Sequence, residues 1–189
     1  MRKLNWDEVT AASSGIMQPG AYAIEITDVK DNEKYECLEV VYDVIEGEYA
    51  GRFKNMTPDE DWKHQFRQAY SDKAMPFFKR FLDELEGDNP SFTIANWQVT
   101  SDPKALIGLK LGMLFREYRY INQQGEAKWR LDADRPLSLA EVAHGDVKAP
   151  KPRYSNQTTE AEWTAINGFG SETEVAETTE SVYDGSIPF

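Results

Sequence analysis

Leu109-Lys110-Leu111-Gly112-Met113-Leu114-Phe115-Arg116-Glu117-Tyr118-Arg119-Tyr120-Ile121, then Asn122-Gln123-Gln124-Gly125, then Glu126 to Ala133, is the stretch whose reading decides the fold. Side chains two apart on a strand share a face. Leu109, Leu111, Met113 and Phe115 therefore fall on one side, and Lys110, Gly112, Leu114, Arg116, Tyr118 and Tyr120 on the other. Asn122 to Gly125 reads as a hairpin turn whose glycine can take a positive φ. The return strand sets Trp129 and Leu131 against Lys128 and Arg130, and Arg135-Pro136 is expected to end it.

The same alternation recurs upstream. Gly20 to Lys30 puts Tyr22, Ile24 and Ile26 on one side, with Ala23, Glu25 and Thr27 opposite. After a turn at Asp31-Asn32-Glu33, Lys34 to Glu46 repeats it with Leu38, Val40, Tyr42 and Val44. Gly47 to Gly51 then turns the chain into an expected third strand, Arg52 to Met56. The middle changes period. Trp62, Phe66, Ala69 and Tyr70 fall at helical spacing, as do Phe78, Phe81, Leu82 and Leu85, with Pro76 near the start of the second stretch and Gly87 just past its end. Core packing is the expected use of these rings. Ser101-Asp102-Pro103 looks like a helix cap, and Ser138 to Val142 like a final helical turn.

Three strands, a helical insert and a two-stranded hairpin form the element order of a five-stranded Greek-key barrel of the OB type. A two-layer α+β sheet shares that order. The expectation is a mostly β protein, an OB-type barrel with a helical insert between strands 3 and 4, occupying residues 1–153. Ala149-Pro150-Lys151-Pro152-Arg153 reads as a stiff linker, and residues 154–189 as a disordered acidic tail.

Charge sharpens this division. The 189-residue chain carries 21 basic and 33 acidic side chains, a formal charge of -12. Seven of the acids (Glu160, Glu162, Glu172, Glu174, Glu177, Glu180 and Asp184) lie in the tail, which has no Lys or Arg, so residues 1–153 carry -5. A nucleic-acid surface on such a body has to be a local stripe. The candidate is the hairpin face with Lys110, Arg116, Tyr118, Tyr120, Lys128 and Arg130, to which Arg52 and Lys54 of the expected third strand would add. Cations alternating with rings do not suit a core. They suit unpaired nucleic acid, where positive charge tracks phosphates and rings stack bases at about 1–3 kcal/mol each. An ordinary solvated strand face is the alternative. At the other end, Ile187-Pro188-Phe189 with Asp184 makes a bait for a partner, its phenyl ring suited to a small pocket and its carboxylate to a basic rim.

Other chemistry has less support. His64 and His144 are far apart with no cysteine cluster, so no metal or other cofactor is expected. Asp59-Glu60-Asp61 could be imagined as a divalent-metal nuclease site, but acids beside a helix start have a simpler role at its dipole. Neither a P-loop nor a Rossmann glycine pattern occurs. The chain begins without an apolar run after its charges and has no stretch long enough to span a bilayer. The single Cys37 fits a reducing compartment, and a cytoplasmic protein is expected.

Gly20-Ala21-Tyr22, the turn Glu46-Gly47-Glu48-Tyr49-Ala50-Gly51-Arg52, and the hairpin with Tyr118 before its turn and Gly125 within it carry a resemblance. Over roughly residues 15–153 the chain resembles small phage and prophage single-stranded DNA-binding proteins, mostly from Gram-positive hosts. The tip separately resembles the end of bacterial single-stranded DNA-binding proteins, which close on several Asp, an apolar residue, Pro and Phe; here only Asp184 stands for the acids. The resemblance implies an OB-type fold, a strand-coating role in replication or recombination, and replication proteins as partners of the tip. It transfers no individual base contact. Two other functions stay open, an acidic module that mimics DNA and a metal-dependent nuclease.

Overall fold

Alternating apolar residues build the first two strands. The computed structural model describes residues 17–58 and 63–169. Strand β1 (Gly20–Asn32) pairs antiparallel with β2 (Cys37–Val44) through a 3-10 turn at Glu33–Tyr35. The register slips by one residue between Ile26 and Asp28. This bulge changes the phase of β1, so that Ile24 and Ile26 before it and Val29 after it all face the core. On β2, Leu38, Val40, Tyr42 and Val44 face the same way, as their spacing predicts.

The third strand lies elsewhere than expected. Residues 51–55 form turns, in which Gly51 N–H donates to Val44 O at 2.8 Å and Arg52 N–H to Tyr49 O at 3.1 Å. Asp43 Oδ1 accepts from Phe53 N–H at 3.0 Å, which drops the Phe53 ring against Tyr42 and flat onto His64. The real β3 is Gln65–Ala69, inside the stretch whose spacing predicted a helix. It pairs antiparallel with β2, Val40 opposite Phe66. A central strand needs partners for its backbone on both edges, and this demand outweighs a helical pattern of a few aromatics.

Helix α1 (Met75–Asp88) forms where predicted and buries Phe78, Phe81, Leu82 and Leu85. Gly87 lies in its last turn, not beyond it. Helix α2 (Ile94–Thr100) and a 3-10 turn at Pro103–Leu106, capped by the Asp102 side chain, lead into β4 (Lys110–Ile121). Leu111, Met113 and Phe115 complete the core under α1. Strand β5 (Ala127–Leu137) continues through Arg135-Pro136, which was expected to stop it; Pro136 stands opposite Met113 and the register slips opposite Leu114 and Phe115. Helix α3 (Leu139–His144) follows, with a capping box between Ser138 and Glu141.

The expected boundary at residue 153 falls inside a sixth strand. Strand β6 (Arg153–Tyr154) pairs parallel with β4, and helix α4 (Glu160–Phe169) buries Trp163. Residues expected to be disordered thus fold onto the body as far as residue 169. The sheet runs β3-β2-β1-β4-β5, with β6 beside β4. The terminal strands β3 and β5 approach within 8 Å at the Cα level, but no ladder joins them, so the sheet is open.

The α3 packing depends on Gly112. A Cβ there would meet Val142 Cγ2 at 2.6 Å, Ser138 O at 2.8 Å and Leu137 O at 2.9 Å. Two of these three atoms are backbone and cannot rotate away. Gly112→Ala is therefore expected to destabilise the fold by about 1–3 kcal/mol, the usual scale of overpacking. Urea unfolding measures this, and an unchanged midpoint would show that α3 does not sit on β4.

Candidate nucleic-acid interface

Strand register gathers part of the predicted stripe. Tyr118 stands opposite Arg130, Tyr120 opposite Lys128, and Arg116 opposite Asp132. Paired residues share a face, so these six side chains lie together on the side of the sheet away from the core. The Tyr118 and Tyr120 rings are 6.4 Å apart, tilted by 32°. The Arg130 guanidinium lies over the Tyr118 ring, 4.8 Å from its centroid. Both tyrosines and Lys128 are half-buried, while Arg130 is exposed. Aromatic rings interleaved with cations are the groups that stack bases and contact phosphates.

The acids on the face set its electrostatics. Arg116 is ion-paired to Asp134, and Lys128 Nζ lies 3.3 Å from Glu126. Burial pushes the Asp132 carboxyl up, against the pull of Arg130, Arg153 and Arg116. Among the described residues neither Arg130 nor Arg153 forms an ion pair. Phosphate contact would therefore rest on those two more than on Arg116 or Lys128.

Three predicted members lie apart. Lys110 is on the same face of β4 but six residues from Arg116, about 20 Å at a strand rise of about 3.3 Å. Its Nζ lies 3.8 Å from Glu25, and α3 packs over Gly112 in between. Arg52 and Lys54 are in the loop after β2, not on a strand, and Arg52 lies 5.6 Å from the Tyr49 ring. The tip residues Asp184, Ile187, Pro188 and Phe189 lie outside the described residues, as do Asp59, Glu60, Asp61 and Trp62.

Sequence reasoning missed Arg153, Tyr154 and Trp163. Arg153 pairs in register with Tyr118, so β6 brings a further guanidinium to the aromatic face. Tyr154 and Trp163 work on the opposite face, around Arg119. There Arg119 donates to both Glu117 carboxylate oxygens at 2.8 and 3.0 Å and to the Tyr154 hydroxyl at 2.9 Å. The Trp163 ring covers the guanidinium at 4.2 Å, and its N–H donates to Lys128 O at 3.1 Å. The Glu117 carboxylate raises the pKa of Arg119 further, keeping it charged. One signal for α4 was legible, since Thr159 and Glu162 have the spacing of a capping box. In the structure they form one, Thr159 N–H donating to Glu162 Oε2 at 2.8 Å and Glu162 N–H to Thr159 Oγ1 at 3.2 Å.

An open hollow beside β1 is lined by Tyr22, Glu46, Glu48, Tyr49 and Val142, and its acidic rim disfavours phosphate. There Tyr22 is pushed up to about 12, first by burial and then by Tyr49 and Glu48. Among the described residues no group of three His, Cys, Asp or Glu could hold a metal ion, and no helix is long and apolar enough to cross a membrane. A scan against protein-family models finds no match for the chain, and a search of the curated proteins finds none either.

Asp132 gives the face a pH signature. Its raised pKa means that the folded chain favours the protonated acid. Its contribution to stability is present at acid pH and is lost as pH rises from the ordinary aspartate range through the folded value. Asp132→Asn, which resembles the protonated acid, is expected to melt no lower than the parent at neutral pH, with any advantage vanishing toward about pH 4. Thermal melts across that range test this. A lower melting temperature at neutral pH would mean that the three arginines outweigh burial.

Proposed function

We propose that this chain is a sequence-independent single-stranded DNA-binding protein of a phage or mobile element, holding the strand on the outer face of β4 and β5. The observation that carries this reading is the Tyr118–Tyr120 pair, 6.4 Å apart, with Arg130 over one ring. Ring faces accept any base, and guanidinium groups follow the backbone, so binding would depend little on sequence. The path β3-β2-β1-β4-β5, with α1 between β3 and β4, has the strand order of an OB-type Greek-key barrel. The approach of β3 to β5 supports treating the fold as such a barrel with an unpaired seam.

On this reading the protein binds and does not catalyse. It coats strands during replication or recombination in the host cytoplasm. The tip, Asp184 with Ile187-Pro188-Phe189, recruits replication or recombination proteins by filling an apolar pocket beneath a basic rim.

Fluorescence anisotropy of labelled oligo-dT, long enough at about thirty nucleotides to exceed one site, tests the binding. Affinity is expected to prefer single strand over duplex and to fall steeply with salt. Tyr118→Ala and Tyr120→Ala are each expected to weaken binding by about 1–3 kcal/mol if each ring stacks a base. Absence of binding at the lowest salt would overturn the proposal and favour an acidic module that mimics DNA, in keeping with the net charge of -12. Deleting Ile187 to Phe189 is expected to leave DNA affinity unchanged and to abolish pull-down of replication proteins. Retained pull-down would remove the role given to the tip.

A further inference from the structure

We infer that Arg153 is a phosphate contact of the aromatic face, and that residues 154–169 are the strap that positions it; this rests on the binding proposed above. Local sequence places Arg153 at the end of a proline-containing linker, with no strand pattern around it. Tertiary structure gives it a defined seat. Strand β1 pairs with β4 only as far as Phe115, so the edge of β4 beyond that point needs other partners. The returning chain supplies them. Arg153 and Tyr154 pair with Tyr118 and Arg119, and Ser155 N–H donates to Arg119 O at 2.9 Å. Ile121 N–H donates to Thr158 Oγ1 at 3.2 Å.

The strap then crosses to the other face, where α4 sets Trp163 over Arg119 and against Lys128 O. One anchored segment therefore touches both faces of the β4–β5 hairpin. On the outer face it leaves Arg153 half-buried beside Tyr118, with Arg116, Arg130 and Arg153 all acting on Asp132. Arg116 is already engaged by Asp134. Arg153 thus adds to the face a cation that forms no ion pair among the described residues, on the opposite side of β4 from Arg130. A strand lying across the Tyr118 ring would have a guanidinium on each side, the arrangement that fixes a phosphate backbone while the bases stack. Trp163 touches no nucleic acid in this scheme and is a positioning residue.

The test is the salt dependence of oligo-dT binding by the full chain and three variants. Each lost phosphate contact lowers the slope of log affinity against log salt by about 0.7 on single strands. Arg153→Ala is expected to bind more weakly with a slope shallower by about that amount, and Arg153→Lys to restore the slope. Trp163→Ala, which keeps Arg153 but frees its strap, is expected to shift the slope in the same direction. If Trp163→Ala melts the whole protein, Thr158→Val loosens the same strap at the edge of β4 and takes its place. Unchanged slope and affinity in Arg153→Ala, while Tyr118→Ala still weakens binding, would overturn the inference and leave the proposed function standing. A parent slope in the strap variants would remove the positioning role. If the parent does not bind oligo-dT at all, the proposed function fails and this inference with it.

Discussion

The double pairing of β4 is the constraint on which the rest depends. Its first half is hydrogen-bonded to β1 on one edge and to β5 on the other, and its Leu111, Met113 and Phe115 lie at the centre of the core. Its second half outruns β1, so one edge would be left as a row of unpaired backbone groups. Residues 153–169 answer that need. Strand β6 covers the edge, and α4 covers the inner face of the projecting hairpin. The outer face of this hairpin is the one where Tyr118, Tyr120, Arg130 and Arg153 gather.

The same strand divides the molecule into a stability end and a surface end. Toward Lys110 the outer face is closed by α3, which requires a residue without a side chain at Gly112. Toward Ile121 the outer face carries half-buried rings and cations, while the inner face holds Arg119 between Glu117, Tyr154 and Trp163. Charge is handled differently on the two sides. Inside, Arg119 has a bidentate carboxylate and a covering ring, an arrangement that suits a fixed structural charge. Outside, Arg130 lies over the Tyr118 ring, and Arg130 and Arg153 both act on the half-buried Asp132.

Strand periodicity made much of this legible. The alternation in β2 and β4, and in β1 as far as its bulge, sorted the side chains into the two faces that the structure shows, because side chains with a period of two must choose opposite faces. It also placed Arg116, Tyr118, Tyr120, Lys128 and Arg130 together, because a short turn at Asn122–Gly125 fixes which residues stand opposite. The helical stripe of α1 was equally plain. Lys110 belongs to the same face but is too far along β4, since periodicity gives sides and not distances across a covering helix.

Sequence by itself therefore determined the strands that alternate, the helix with an apolar stripe, the hairpin register and the cation–aromatic composition of one face. Only tertiary structure decided which segment became β3, because the edge of β2 selects a partner by reach and backbone complementarity, not by local pattern. It alone shifted the phase of β1 at its bulge and let β5 continue through Pro136. It alone recruited Arg153 and Trp163 from a stretch that composition marked as linker and tail. The physical reason is common to all four. Backbone groups left open at a strand edge must find partners, and the residue that supplies them is set by where the chain can return in space.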